Sequence, residues 1–438
     1  MKMEDKYTEL FEKMDENINR RKSSGKMPAM GYTSNLDIIC EFQIDILNKL
    51  LDEYMQGDDL STMKASKVIK TVQEFICTIV YFCGKGIGGE VDIEETEIID
   101  KFFSTKYGMG GTATQAAMAL EAIGCPSIIH LTDDSKEVCN ILYSPHIYTV
   151  SSNEDLIHTN QVTSKAKQEI HYIIQFKKGD VIRLLDQELV IPVSNRLILT
   201  KITVNETVPF SKPYFNYIER NAKDISSNVL SSFNAIKDKE VLQERLEFVK
   251  RHIKKYKAIN ESGVVFFEDA HYHSNNIKKF CMETIYSEVD IVCMNEEELA
   301  HILAMYNFPI NVDNIISCVE GIKYIKENFK INQGVIVHTK DYSMYVGDKL
   351  EVDIENGLIY GNMLATTKAM VGSYGTKKQI SKLLELPLSK IGMYNKKIVA
   401  ESNYASETII VPTKYIDKPK YTIGLGDSFV AGVQICFM

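Results

Sequence analysis

The sequence predicts an α/β fold built on a mainly parallel sheet, with a second, smaller lobe assembled from antiparallel strands. Three observations predict it. Short apolar runs such as "SGVVFFEDA" and "GVIVHTKDY" follow longer amphipathic stretches such as "DKEVLQERLEFVKRHIKKYKAIN", as strands joined by crossover helices do. In the first half this rhythm is interrupted by "EIHYIIQFKKGDVI" and "LVIPVSNRLILTKITV", which alternate like antiparallel strands linked by turns. Polar residues also gather where strands end: Asn35 and Asp37, Glu268, Asn295 to Glu298, His338 and Asp427. Ligands of open α/β sheets bind beyond the carboxyl ends of the strands.

Taken in order, "MKMEDKYTELFEKMDENINRRK" predicts a charged amphipathic helix without a signal-peptide core. "PAMGYTSNLDIICEF" reads as one strand with polar residues at its end, and helical patterns run on through "STMKASKVIKTVQEFICTIVYF". "GMGGTATQAAMALEAIGCPSIIHLT" reads as a glycine turn, a small-residue helix and a buried strand. "VDIVCMNEEELAHIL" and "GVIVHTKDYSMYVGD" are two strand–loop units, and "YTI" before "GLGDSFVAGVQICF" reads as a last strand, a turn and a helix.

Composition narrows the function classes. A length of 438 residues favours a large domain plus a second lobe. The net charge of −9, with no long basic run, argues against nucleic acid as the main partner. The longest apolar run, "FICTIVYFC", is too short to span a bilayer, so no membrane partner is expected. Nine cysteines are scattered without a CxxC pair, which reads as a reduced, cytoplasmic chain.

Several motifs carry chemistry. Gly424-Leu425-Gly426-Asp427 lets the backbone turn sharply at a helix start, so that amide groups converge on one space that attracts an anion. The simpler reading makes Asp427 a helix N-cap. Asn295-Glu296-Glu297-Glu298 follows a strand directly; N-x-x-E suits a capping arrangement, and a carboxylate cluster there also suits the water shell of Mg²⁺. Gly110-Gly111 permit close packing or the approach of sugar hydroxyls to the backbone. Asn35-Leu36-Asp37 offers an Asx-turn or a pair able to read vicinal hydroxyls. Gly84-Lys85-Gly86-Ile87-Gly88-Gly89 satisfies G-x-G-x-x-G, but acidic, strand-like "EVDIEETE" follows where a helix should start, so a dinucleotide site is rejected.

The order of these pieces, from about Met30 to the C-terminus, resembles the ADP-dependent sugar kinases, the glucokinase and 6-phosphofructokinase group of the ribokinase-like superfamily. "GYTSNLD", "MGG", "HYIIQF", "SNRLI", "VVFFEDA", "MNEEE", "GVIVHTKDY", "LATTKAM" and "VPTKYIDKPKYTIGLGD" carry the resemblance. It implies a three-layer αβα large domain over 1–36, 59–82, 112–172 and 199–438, and a mainly β lid lobe over 37–58, 83–111 and 173–198. It also implies transfer of the terminal phosphoryl of ADP to a hexose or hexose phosphate, glucose or fructose 6-phosphate, leaving AMP. The catalytic set would be Asp427 as base, the amides of Gly424, Leu425 and Gly426, and Arg196 facing the phosphates. The sugar would meet Asn35, Asp37, Gly110, Gly111 and Glu90; the nucleotide would meet His338, Thr339 and Val411; Mg²⁺ would be held through water by Glu268, Asn295 and Glu298.

This chain departs from the family pattern at Phe266, where a histidine of an H-x-E motif should stand, at Thr112-Ala113 after the glycine pair, and at Gln175 in a lobe strand. Two alternatives stay open: an ATP-dependent ribokinase-like sugar or nucleoside kinase, and a catalytically weak binding or regulatory homologue. The acceptor is open as well, since Glu90 suits glucose while Lys177, Lys178 and Arg183 suit a sugar phosphate.

Overall fold

The computed structural model describes residues 2–163, 170–201 and 204–437, in two compact units. Met1, Glu169, Ile202 and Thr203, which the sequence pattern assigned to a helix or strands, lie outside the described residues.

The first unit comprises Met1–Ser34, Gly111–Lys165 and Asn205–Met438. Its ten-stranded sheet runs in the order Thr408–Pro412, Tyr342–Gly347, Gly334–His338, Ile291–Asn295, Val264–Glu268, Ile225–Leu230, Met27–Met30, Ser127–Ile129, Ile147–Val150, Leu156–His158. Pairing is parallel from Gly334–His338 to Ile147–Val150 and antiparallel at both ends. Successive side chains of a strand point to opposite faces. Val265, Phe267, Val292, Met294, Val335 and Val337 join one core with Leu246, Val249, Met282, Leu303 and Ile322 of the helices on that side. Phe266, Ile291, Cys293 and Ile336 face the other way by alternation. There the helices Ile354–Val371 and Leu425–Val433 pack on the sheet and on each other. The result is the αβα layering that the sequence predicts.

The second unit comprises Asn35–Gly110 and Ala166–Val204. Its six-stranded sheet runs Val68–Ile69, Gly89–Ile93, Asn195–Lys201, Ile170–Phe176, Asn35–Cys40, Thr105–Gly110, and a separate hairpin joins Val181–Leu184 to Gln187–Val190. Only two of the sheet's pairings, Asn195–Lys201 with Ile170–Phe176 and Asn35–Cys40 with Thr105–Gly110, are antiparallel; the sheet is mixed.

Four local expectations change. "PAMGYTSNLDIICEF" is two strands, Met27–Met30 and Asn35–Cys40, each in a different sheet, with the chain turning between them. The N-terminal segment is two helices, Met3–Glu12 and Met14–Ser24, not one. Residues 59–82, expected with the large domain, belong to the second unit: Val68–Ile69 pairs with Gly89–Ile93, and Val72–Lys85 buries Phe75, Ile76 and Ile79 while packing on Ile44–Tyr54 and Asn195–Lys201. "YTI" is not a strand. The last strand is Thr408–Pro412, and an irregular segment carries the chain from it to the final helix. The rejected G-x-G-x-x-G begins in the last residues of the Val72–Lys85 helix, with Gly86 as its left-handed C-cap.

Candidate active site

The final helix, Leu425–Val433, is capped by Gly424 at φ 62° and ψ 27°, a residue that makes no side-chain cap bond to the leading amides. A helix start leaves its leading N–H groups without intrahelical partners and carries a positive partial charge. Asp427 sits in the first turn, not at the cap, so the N-cap reading of this residue is corrected. The residues 424–427 are half-buried, in contrast to the buried helix that follows. A glycine is required at 424 twice over: its φ is left-handed, and a Cβ would stand 2.7 Å from Lys368 Nζ and 2.8 Å from Gln115 Oε1.

Lys368, which the sequence reading passed over, anchors this turn. It is buried at 2% exposure on the Ile354–Val371 helix. Its Nζ donates to Gln115 Oε1 at 2.5 Å and to the Gly424 carbonyl at 3.2 Å, and lies 4.2 Å from the centre of the Tyr374 ring. Tyr374 also donates its hydroxyl to Gln115 Oε1. A buried ammonium is costly unless hydrogen-bonded, so this one fixes the turn while placing positive charge beside it. "LATTKAM" held the only signal, a lone lysine in an apolar helix.

Beneath the turn lie Glu268 and His338. A Cβ on Gly426 would stand 3.3 Å from His338 Cε1 and 3.7 Å from Glu268 Oε1. His338 Nε2 is 3.8 Å from Glu268 Oε1, and its ring packs 4.8 Å from that of Phe429. Burial pushes the Glu268 carboxyl well up, with a further upward push from Asp427 and Asp269, while the Cys293 thiol opposes it. Burial holds His338 low, against the pull of Glu298, Glu296 and Asp427. Thr339 accepts from the Asp341 and Tyr342 amides and closes the hairpin turn. Val411 is buried in the Thr408–Pro412 strand. Phe266 is buried two residues before Glu268 on the same sheet face.

Asn295 and Glu298 form a capping box: Asn295 Oδ1 accepts from the Glu298 amide and Glu298 Oε2 from the Asn295 amide, both at 2.9 Å. Burial, aided by Asp269, pushes the Glu298 carboxyl up to about 8. A cavity of about 300 Å³ beside them is lined by His271, Lys278, Glu297 and His301 as well.

In the second unit the strand alternation sorts the sheet by face. Leu36, Ile38, Tyr172, Ile174, Leu197, Leu199 and Val91 are buried on one side. By alternation and register Asn35, Asp37, His171, Gln175, Arg196, Thr200 and Glu90 share the other. Asn35 Nδ2 donates to Asp37 Oδ1 at 2.6 Å and lies 3.1 Å from His171 Nδ1. Thr200 donates to Glu90 Oε1 at 2.7 Å, and Arg196 is half-buried on the same strand as Thr200. His171 and Thr200 were missed, although "IHYIIQF" and "NRLILTK" show the alternation that places them. Gly110 lies opposite Asn35, and a Cβ there would collide with Asn35 Nδ2 and Asp37 Oδ1. Gly111, in the first unit, has φ 88° and no room before the Thr33 carbonyl.

Residues 26–434 match the ADP-specific phosphofructokinase/glucokinase conserved region. The chain belongs to the ADP-specific phosphofructokinase/glucokinase family. Among curated members of this family, an ADP-dependent glucose/glucosamine kinase of Pyrococcus abyssi is 24% identical, covering 98% of this chain and 97% of its own. An ADP-specific phosphofructokinase of Pyrococcus furiosus is 23% identical, covering 93% and 96%. The fold is that of the crystal structure of a hypothetical ADP-dependent phosphofructokinase from Pyrococcus horikoshii, with a TM-score of 0.75 at 20% identity over 94% of this chain and 97% of that one. An ADP-dependent kinase in complex with fructose 6-phosphate and ADPβS matches at the same TM-score of 0.75 and 21% identity, over 99% and 97%. Among the described residues no helix of this family member is long and apolar enough to cross a membrane.

Proposed function

We propose that this chain is an ADP-dependent sugar kinase. It moves the terminal phosphoryl group of ADP to a hydroxyl of a hexose or hexose phosphate, glucose or fructose 6-phosphate, and releases AMP. The observation that carries the reading is the helix start at Gly424, which has no side-chain cap from Gly424, with Asp427 in its first turn and Lys368 behind it. The family membership supports it, and a glucose/glucosamine kinase and a phosphofructokinase stand at 24% and 23% identity.

The transition state of phosphoryl transfer is loose, so positioning and neutralisation of charge supply most of the acceleration. The amides of Leu425 and Gly426 would donate to the equatorial oxygens of the moving group, with Gly424 giving the turn its shape. Lys368 would hold that turn rigid and offset the incoming charge. Asp427 would accept the acceptor's proton. A carboxylate so placed suits a proton that leaves late. Arg196 would bind phosphate oxygens through its planar fork. Asn35, Asp37 and Glu90, and the backbone of Gly110 and Gly111, would meet sugar hydroxyls, while His338, Thr339 and Val411 would border the nucleotide.

The donor set under the turn fits a hydrated divalent ion: Glu268 Oε2 is buried without a hydrogen bond among the described residues, and the Glu298 and Asp269 carboxyls face the same region. Glu268, Asn295 and Glu298 would hold Mg²⁺ through its water shell, where the ion would neutralise charge on the diphosphate. Incubation with ADP or ATP, Mg²⁺ and a panel of sugars and sugar phosphates tests the reading. AMP formed in step with one phosphorylated sugar is expected. Preference for ATP would make the chain an ATP-dependent kinase, and calorimetric binding without turnover would make it a regulatory homologue.

A further inference from the structure

Glu268, Cys293 and His338 project from three adjacent strands on the same face of the large sheet. Glu268 pairs in register with Cys293, and His338 with Asn295, two residues further along the Cys293 strand. One donor atom from each, a carboxylate oxygen, a thiol sulfur and an imidazole nitrogen, lies within 4.8 Å of the others. Glu268 Oε2 and His338 Nε2 are both buried and neither makes a hydrogen bond among the described residues. Unsatisfied polar atoms in so enclosed a place call for a ligand. Asp427 and Asp269 act on Glu268, and Glu298, Glu296 and Asp427 act on His338; of these acids Asp269 is already paired, 3.0 Å from the buried Lys278 ammonium. Above them stands Gly426, which covers the cluster with backbone alone.

We propose that Cys293, Glu268 and His338 form a binding site for a thiophilic divalent cation, of which Zn²⁺ is the fitting example, and that its occupancy inhibits the kinase. Three protein ligands of types S, N and O with a fourth position left for water are what tetrahedral zinc takes at open sites. Its bond lengths bring such donors to about 3.5 Å from one another. His338 Nε2 and Glu268 Oε1 are already 3.8 Å apart, so side-chain rotation closes the remainder. Mg²⁺ prefers oxygen donors and keeps its waters, so the thiol selects against it. On coordination the thiol proton and the proton that burial favours on the Glu268 carboxyl pass to solvent, and the cation gives up water molecules in exchange for the three side chains. Zinc so held withdraws Glu268 from Mg²⁺ and fixes His338 beneath the turn. The binding site stands on geometry alone; the inhibition rests on the kinase reading.

Cobalt(II) added to the purified full chain tests the site without reference to activity. One equivalent should produce thiolate-to-cobalt charge-transfer absorption, displaced by Zn²⁺ and abolished in Cys293→Ser. Should that variant fold poorly, Cys293→Val, checked for an unchanged melting transition, takes its place. Absence of the absorption at stoichiometric cobalt, or its persistence in the cysteine variant, overturns the site. For the inhibition, Cys293→Ser assayed at saturating Mg²⁺ should need about tenfold more Zn²⁺ than the parent to lose half its rate. Equal sensitivity overturns the inhibitory role. Failure of the kinase reading would show separately, as no AMP formation in zinc-free protein while the cobalt signal persists.

Discussion

Two helices of the first unit begin beside the same buried carboxylate cluster and end their N-termini in opposite ways. Glu296–Met305 closes itself, with Asn295 and Glu298 exchanging hydrogen bonds with each other's backbone. Leu425–Val433 does not; its cap is a glycine, its first turn holds Asp427, and its rigidity comes from Lys368 reaching across to the Gly424 carbonyl. A closed end spends its donors on its own fold. An open end keeps them aimed outward and needs a second element to hold it in shape. The contrast shows that an acid near a helix start says little by itself. What matters is whether a side chain or the outside world satisfies the leading amides.

The contrast can be broken at either end. Asp427→Asn should leave ADP and sugar binding nearly intact while lowering kcat by about 10²-fold or more, as calorimetry and AMP release would measure. Retained turnover would reduce Asp427 to a helix-dipole residue. Lys368→Met removes the cation and the tie to Gly424, and kcat should fall roughly tenfold or more, with Lys368→Arg failing to restore it because the wider guanidinium does not fit the buried space. Gly424→Ala sets a side chain into a left-handed position against Lys368 and Gln115. It should destabilise the fold by about 1–2 kcal/mol in denaturant melts and raise KM for ADP. Asn295→Ala should cost about 1 kcal/mol of stability, the worth of a cap. Because Asn295 would also meet the water shell of Mg²⁺, a smaller fall in kcat than that of Asp427→Asn should accompany the lost stability; an equal fall would put the closed end on a par with the open one, and the comparison would fail.

The amount of this site that could be read from the sequence differs by region. Asp427 and its glycines stand together in the chain, so a local pattern sufficed to find them. "MNEEE" taken alone favoured capping over metal holding, and the capping box is seen as two hydrogen bonds. His338 was read as a neighbour of the nucleotide, and the structure adds that its ring lies under Gly426 against Phe429. Its partners are remote in sequence. Lys368 was invisible for the same reason, because its meaning comes from Gln115 and Gly424 on two other elements. Cys293 looked like one more core thiol until strand register set it beside Glu268. In the second unit the period-two pattern of "IHYIIQF" was legible and its sorting of polar and apolar faces followed directly. The assignment of 59–82 to the wrong lobe came from reading helices without knowing which sheet their apolar sides would cover.

By itself the sequence determined the α/β class with its mainly parallel sheet, a smaller β lobe and the glycine turn with its acid, because periodicity and turn chemistry are local properties written in neighbouring residues. Tertiary structure alone decided that a buried lysine braces that turn and that a thiol, a carboxylate and an imidazole share one space beneath it. Those facts depend on which strands lie side by side and how closely two helices pack, and such long-range register leaves no mark in any single stretch of chain.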